Sequence, residues 1–264
     1  MTPQASLALL TVLAGLAGLA IGSWTRRLVV LYAAPDPVAG PGRSGRSRPT
    51  TGTGRPGRSH PVAETGRPGR PHPAAGAVEA VTAVVLAALA LRAQWPGISG
   101  MTDGAGVTPA GRAAELLAFG WLATVAVVLV FVDAAVHRLP DRLTLAAYLG
   151  TAAPLAASAL ADGRLADLRG AALGGLALVG FYLVLFLINP AGMGLGDVKF
   201  AGSLGTALGW LGWDTLVTGA FLGLVAGGLY GAVLMLLRRA GRKSEIPFGP
   251  FMAAGALAAV LTAL

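Results

Sequence analysis

Two aspartates, Asp133 and Asp197, each stand at the edge of a long apolar run, in a chain that keeps most of its charge clear of its hydrophobic stretches. A carboxylate beside hydrocarbon costs ~2.5 to 3.5 kcal/mol at a helix centre on insertion scales, so it has a partner or a task. Two such groups can hydrolyse an amide. One, ionised, takes a proton from water, while the other stays protonated and polarises the carbonyl. Carboxylates a few ångströms apart divide these roles unaided, because the first charge opposes the second ionisation. Asp197 follows three glycines in Gly192-Met193-Gly194-Leu195-Gly196-Asp197-Val198-Lys199. Gly194 and Gly196, with Gly192, are expected to support the site by admitting a substrate backbone at close range and by taking positive φ.

The residues beside the two carboxylates admit two uses each. Lys199 is placed to stabilise an ionised pair or a substrate carbonyl, or else to anchor a helix end at the interface. Asp141 follows Pro140, which bars helix continuation, and either caps the next helix or receives a basic segment of a substrate. Asp162 and Asp214, lone acids at the edges of apolar runs, read as caps or surface charges. With no cysteine in the chain, disulfides, thiolate metal sites and cysteine nucleophiles are excluded. His60 and His72 lack companions at ligand spacing, so neither a metal nor a cofactor is expected.

The elements that hold these residues are dictated by composition. The chain has 264 residues, 55% of them hydrophobic and 12% charged. The mean hydropathy is +0.69, and the apolar residues come in blocks. This is the profile of an integral membrane protein, in which only helices or a closed barrel satisfy their backbone groups. The expected fold is all-α, a polytopic transmembrane bundle of about eight spans at residues 5–24, 77–93, 113–133, 143–161, 168–188, 198–213, 215–237 and 248–264. The sixth is short, and a re-entrant helix is its rival.

The net charge of +8 finds its explanation in topology, not in nucleic acid. If the N-terminus is outside, segments 25–76, 134–142, 189–199 and 238–249 lie inside and hold 16 of the 20 basic residues. That bias follows the positive-inside rule and puts Asp133 and Asp197 on the cytoplasmic side of a plasma (inner) membrane. Residues 1–24 form the first span, 25–76 a low-complexity Arg/Gly/Pro-rich loop, and 77–264 the remaining membrane domain. The loop has almost nothing to bury and is expected to be disordered. It either sets topology or lies as a polybasic patch on anionic headgroups.

Three stretches together carry a family resemblance: Asp133 with Pro140-Asp141-Arg142-Leu143-Thr144, the Gly192 to Lys199 segment, and Ile246-Pro247-Phe248-Gly249-Pro250-Phe251. In this order, over residues 113–264, they resemble the type IV prepilin peptidases, membrane aspartyl proteases of the Gly-x-Gly-Asp type. The resemblance implies removal of the short basic leader from prepilin-like precursors at the cytoplasmic face, with Asp133 and Asp197 as the catalytic pair. It implies pilin-like precursors and the lipid bilayer as partners, and leaves the oligomeric state open. Many such proteins also carry a zinc-binding pair of Cys-x-x-Cys motifs and methylate their product. Without cysteine this chain is expected to act as a peptidase only. The alternative outside that family is a proton- or cation-coupled transporter using the same two aspartates.

Overall fold

The computed structural model of the chain describes residues 3–33, 76–92, 107–136, 139–190, 192–237 and 247–262. Eight helices make up these residues: α1 (Pro3–Ala33), α2 (Ala77–Arg92), α3 (Pro109–Val136), α4 (Asp141–Asp162), α5 (Leu165–Ile188), α6 (Leu195–Leu211), α7 (Trp213–Leu236) and α8 (Gly249–Thr262). The protein is an all-α polytopic bundle. Consecutive helices pair as α1 with α2, α3 with α4, α5 with α6 and α7 with α8. Four helices, α3, α4, α5 and α7, are long and apolar enough to cross a membrane, and α8 is a shorter apolar helix. Their outer faces carry large exposed side chains such as Leu176, Phe221, Leu229 and Leu236, which suit a lipid environment.

Two boundaries differ from the sequence expectation. The first helix continues past Trp24 to Ala33. Thr25 and Val29 are fully buried, and Thr25 Oγ1 donates to the Gly22 carbonyl at 2.9 Å, so the helix keeps packing after Arg26-Arg27. The expected disordered loop lies, from residue 34 to 75, outside the described residues.

The sixth helix is short, as expected, but runs from Leu195 to Leu211 instead of 198–213. It has 17 residues, about 25 Å at 1.5 Å per residue, shorter than a hydrocarbon core of about 30 Å. Every residue from Phe200 to Trp210 is buried, because α6 is enclosed by α4, α5, α7 and α8 and touches α3. A helix surrounded by protein does not need the length of a lipid-facing one.

Small residues bring α6 into place. A Cβ on Gly174 of α5 would stand 2.6 Å from the Gly205 carbonyl oxygen, and one on Gly205 would stand 2.5 Å from that of Gly174. The two backbones therefore touch, as small residues permit between membrane helices. At the end of the bundle where α4 turns into α5, Gly163 takes φ 69°. There the Arg164 guanidinium pairs with Glu115 of α3 and, at 2.6 Å, with Asp167, and it lies 4.8 Å from the centroid of the Trp210 ring on α6. Glu115 is 1% exposed and also accepts from Ser158 at 3.3 Å. The α3 start is capped by Thr108, whose Oγ1 accepts the Gly111 N–H at 3.0 Å, while Asp162 Oδ1 accepts the Thr108 N–H at 3.1 Å and so holds the capping residue.

Candidate active site

At the opposite end of the bundle, α3 is finishing while α4, α6 and α8 begin, and this places the singled-out residues near one another. Asp133 sits one turn before the end of α3 and Asp197 in the first turn of α6; each is 4% exposed. The point at which they converge is Gly249, the first residue of α8. Its N–H donates to Asp133 Oδ2 at 3.1 Å. A Cβ built on Gly249 would lie 2.9 Å from Asp133 Oδ2 and 3.6 Å from Asp197 Oδ1. Both carboxylates therefore flank a position that has no room for a side chain.

Electrostatically, the start of α8 presents the Gly249 N–H and the positive end of a helix dipole to Asp133. Pro250 follows, where its missing N–H costs nothing. Asp197 is held differently. Its Oδ2 accepts the Gly194 N–H at 3.2 Å, while its own N–H donates to the Gly194 carbonyl at 3.1 Å, closing the first turn of α6 reciprocally. Its other oxygen, Oδ1, is buried and has no hydrogen-bond partner among the described residues. A buried acceptor in that condition is costly unless a ligand or water meets it.

The glycines act by proximity, not by the positive φ expected of them. Gly194 has φ −80° and ψ 146°, and the positive-φ glycines among the described residues are Gly76, Gly163 and Gly212. Gly196 instead lets α6 approach the segment before α4, since a Cβ there would lie 2.6 Å from Leu139 Cβ. Lys199 turns away from the carboxylates. Its Nζ lies 2.7 Å from Asp141 Oδ1, an ion pair whose side chains are 44% and 75% exposed. Asp141 makes no side-chain cap; Pro140, with φ −66° and ψ 129°, occupies the cap position and its carbonyl accepts the Leu143 and Thr144 N–H groups.

Two participants escaped the sequence reading. Gly249 was visible only as a motif member, although a glycine between Phe248 and Pro250 at the start of an apolar run marks a place where backbone must come close. Tyr182 of α5, 1% exposed, packs its ring 5.8 Å from that of Phe248 and so backs the start of α8. A hydroxyl-bearing tyrosine inside an otherwise apolar run was the signal.

Residues 120–235 match the model of the type IV leader peptidase family. Among curated relatives, a prepilin leader peptidase/N-methyltransferase of Aeromonas hydrophila is 36% identical over 155 residues, covering 56% of this chain and 52% of the relative. One of Aeromonas salmonicida (strain A449) is 39% identical over 75 residues, 28% of this chain and 25% of the relative. One of Bacillus subtilis (strain 168) is 35% identical over 78 residues, 30% of each. The matched stretches span from a quarter to about half of those relatives' own length. No solved structure matches the chain significantly.

Proposed function

We propose, from the match of residues 120–235 to the type IV leader peptidase family model, that this chain is a membrane aspartyl endopeptidase that cleaves the short basic leader from prepilin-like precursors. The observation that carries the reading is the meeting of Asp133 and Asp197 beside Gly249, with one buried carboxylate oxygen left for a water. One carboxylate takes a proton from that water as its oxygen attacks the scissile carbonyl. The other donates its proton to the carbonyl oxygen. Collapse of the tetrahedral intermediate then expels the amine, which takes up the proton held by the first acid. The Gly249 N–H orients Asp133 throughout, a positioning role.

Asp141 is assigned to the leader. Its carboxylate is 75% exposed and already holds one ammonium, that of Lys199, so an arriving basic leader exchanges one cation for another. The site faces the cytoplasm across the plasma membrane, a placement supported by the 16 basic residues on that side. The mechanism moves protons between acids and water and calls on no cofactor. A tetrathiolate zinc site does not fit a chain without cysteine, and the chain acts as a peptidase only.

Co-expression with a precursor tests the reading. The leader is expected to be lost with the unsubstituted chain and retained with Asp133→Ala and with Asp197→Ala. An unaltered precursor together with proton or cation flux would overturn it in favour of the transporter, a reading that placement of both acids at one end of the bundle does not favour.

A further inference from the structure

A cavity of about 230 Å³ opens between α2, α3, α6 and α8, lined only by Val, Leu, Phe, Ala and Pro. One end is formed by Val130, a single turn before Asp133, and by Pro250, the neighbour of Gly249. The other end is formed by Leu89 and Val260, where the Arg92 Nε–H donates to the Val260 carbonyl at 2.8 Å and ties α2 to α8. Between these ends α8 rises about 15 Å, close to three turns. Along that length α2 and α8 barely touch.

The chemistry of the lining restricts its occupant. It offers no side-chain hydrogen bond, so an extended peptide would leave its backbone groups unmet, and a basic leader would lose its hydration for nothing. A helix satisfies its own backbone and brings only side chains. An apolar cavity of about 150 Å³ accommodates benzene, so this one has space for a large aliphatic or aromatic side chain with room beyond it. Left empty, its walls would forgo dispersion contacts on one side.

Resting on the peptidase reading, we propose that this cavity is the docking groove for the apolar helix that follows the scissile bond of the precursor. It begins one turn from the two carboxylates and runs away from them between α2 and α8. A substrate whose amide lies at Asp133 and Asp197 thus lays its next three turns along it. Both walls α2 and α8 lie outside residues 120–235, so selection of the substrate helix is placed on elements flanking the matched segment.

Photo-cross-linking in membranes tests this, with benzoylphenylalanine replacing Leu257 on α8 or Val85 on α2 in the full chain carrying Asp133→Asn. The probe is a precursor with a basic leader followed by an apolar segment of about 20 residues. Capture of the precursor is expected at both positions and not at Leu229 on α7, which is 64% exposed. Equal capture at Leu229, or capture of lipid alone at Leu257 and Val85, would overturn the groove.

A second variant, Ala254→Leu, partly fills the cavity. It is expected to raise KM about tenfold for the helix-bearing precursor and to leave unchanged a soluble peptide carrying only the leader and scissile bond. Equal effects on both substrates, or on neither, would count against the groove. Capture in the groove without any cleavage by the unsubstituted chain leaves the groove standing and removes the peptidase reading. Cleavage that requires Asp133 and Asp197, with capture only elsewhere, does the reverse.

Discussion

Asparagine in place of Asp133 or Asp197 preserves size and loses both the charge and the transferable proton. Either substitution is expected to lower kcat on the order of 10²- to 10⁴-fold, with KM little changed, in a cleavage assay on purified protein. Gly249→Ala isolates geometry from chemistry. Its methyl would sit 2.9 Å from Asp133 Oδ2, so a rate loss on the order of 100-fold is expected although both acids remain. The exposed pair of Lys199 and Asp141 predicts a different result. Such pairs contribute about 0 to 1 kcal/mol, so Asp141→Asn should leave the melting temperature nearly unchanged while reducing the preference for basic over neutral leaders. An unchanged preference would remove Asp141 from leader binding. At this scale the sequence disclosed which acids stand next to hydrocarbon, because an acid there has few other reasons to exist. It did not disclose that Lys199 turns toward Asp141, since 58 residues separate them and only the fold makes them neighbours.

Helices were legible wherever apolar length alone decides them, as in α3, α5 and α7. Legibility failed where packing decides. The continuation of α1 to Ala33 depends on Val29 being buried against the bundle; the short length of α6 was legible, but the enclosure that permits it was not, because neither set of contacts is local. The glycines of α5 and α6 could be read as close-packing residues, yet which of them touch was not evident. Gly205→Leu should force these helices apart. Overpacking of this kind costs about 1 to 3 kcal/mol, visible as a lowered melting temperature in detergent, with a loss of activity as Asp197 moves with its helix. Arg164→Ala should be more damaging to stability, about 3 to 5 kcal/mol, because it leaves the 1%-exposed Glu115 without its countercharge. No spacing rule pointed to that pair, which lies 49 residues apart.

The molecule as a whole presents two polar ends separated by an apolar middle, and its sidedness can be measured directly. Because the chain contains no cysteine, single introduced thiols report without background. Leu195→Cys at the start of α6 and Leu165→Cys at the start of α5 are both at half-exposed positions, 50% each, at opposite ends of the bundle. An impermeant maleimide is expected to label the first only in inside-out vesicles and the second only in right-side-out ones. The reverse pattern would place the two aspartates outside the cell and end the proposed orientation. The knot of Glu115, Arg164 and Trp210 also has a meaning for catalysis. From it α3 extends about 27 Å to Asp133 and α6 about 20 Å to Asp197, like the arms of tongs gripped at the handle. A swing of about 3° at the grip displaces the tip of the longer arm by about 1.4 Å, a shift of the size that costs about 100-fold in rate. Variants of this far-end cluster, Arg164→Ala among them, are expected to slow the reaction without touching either acid.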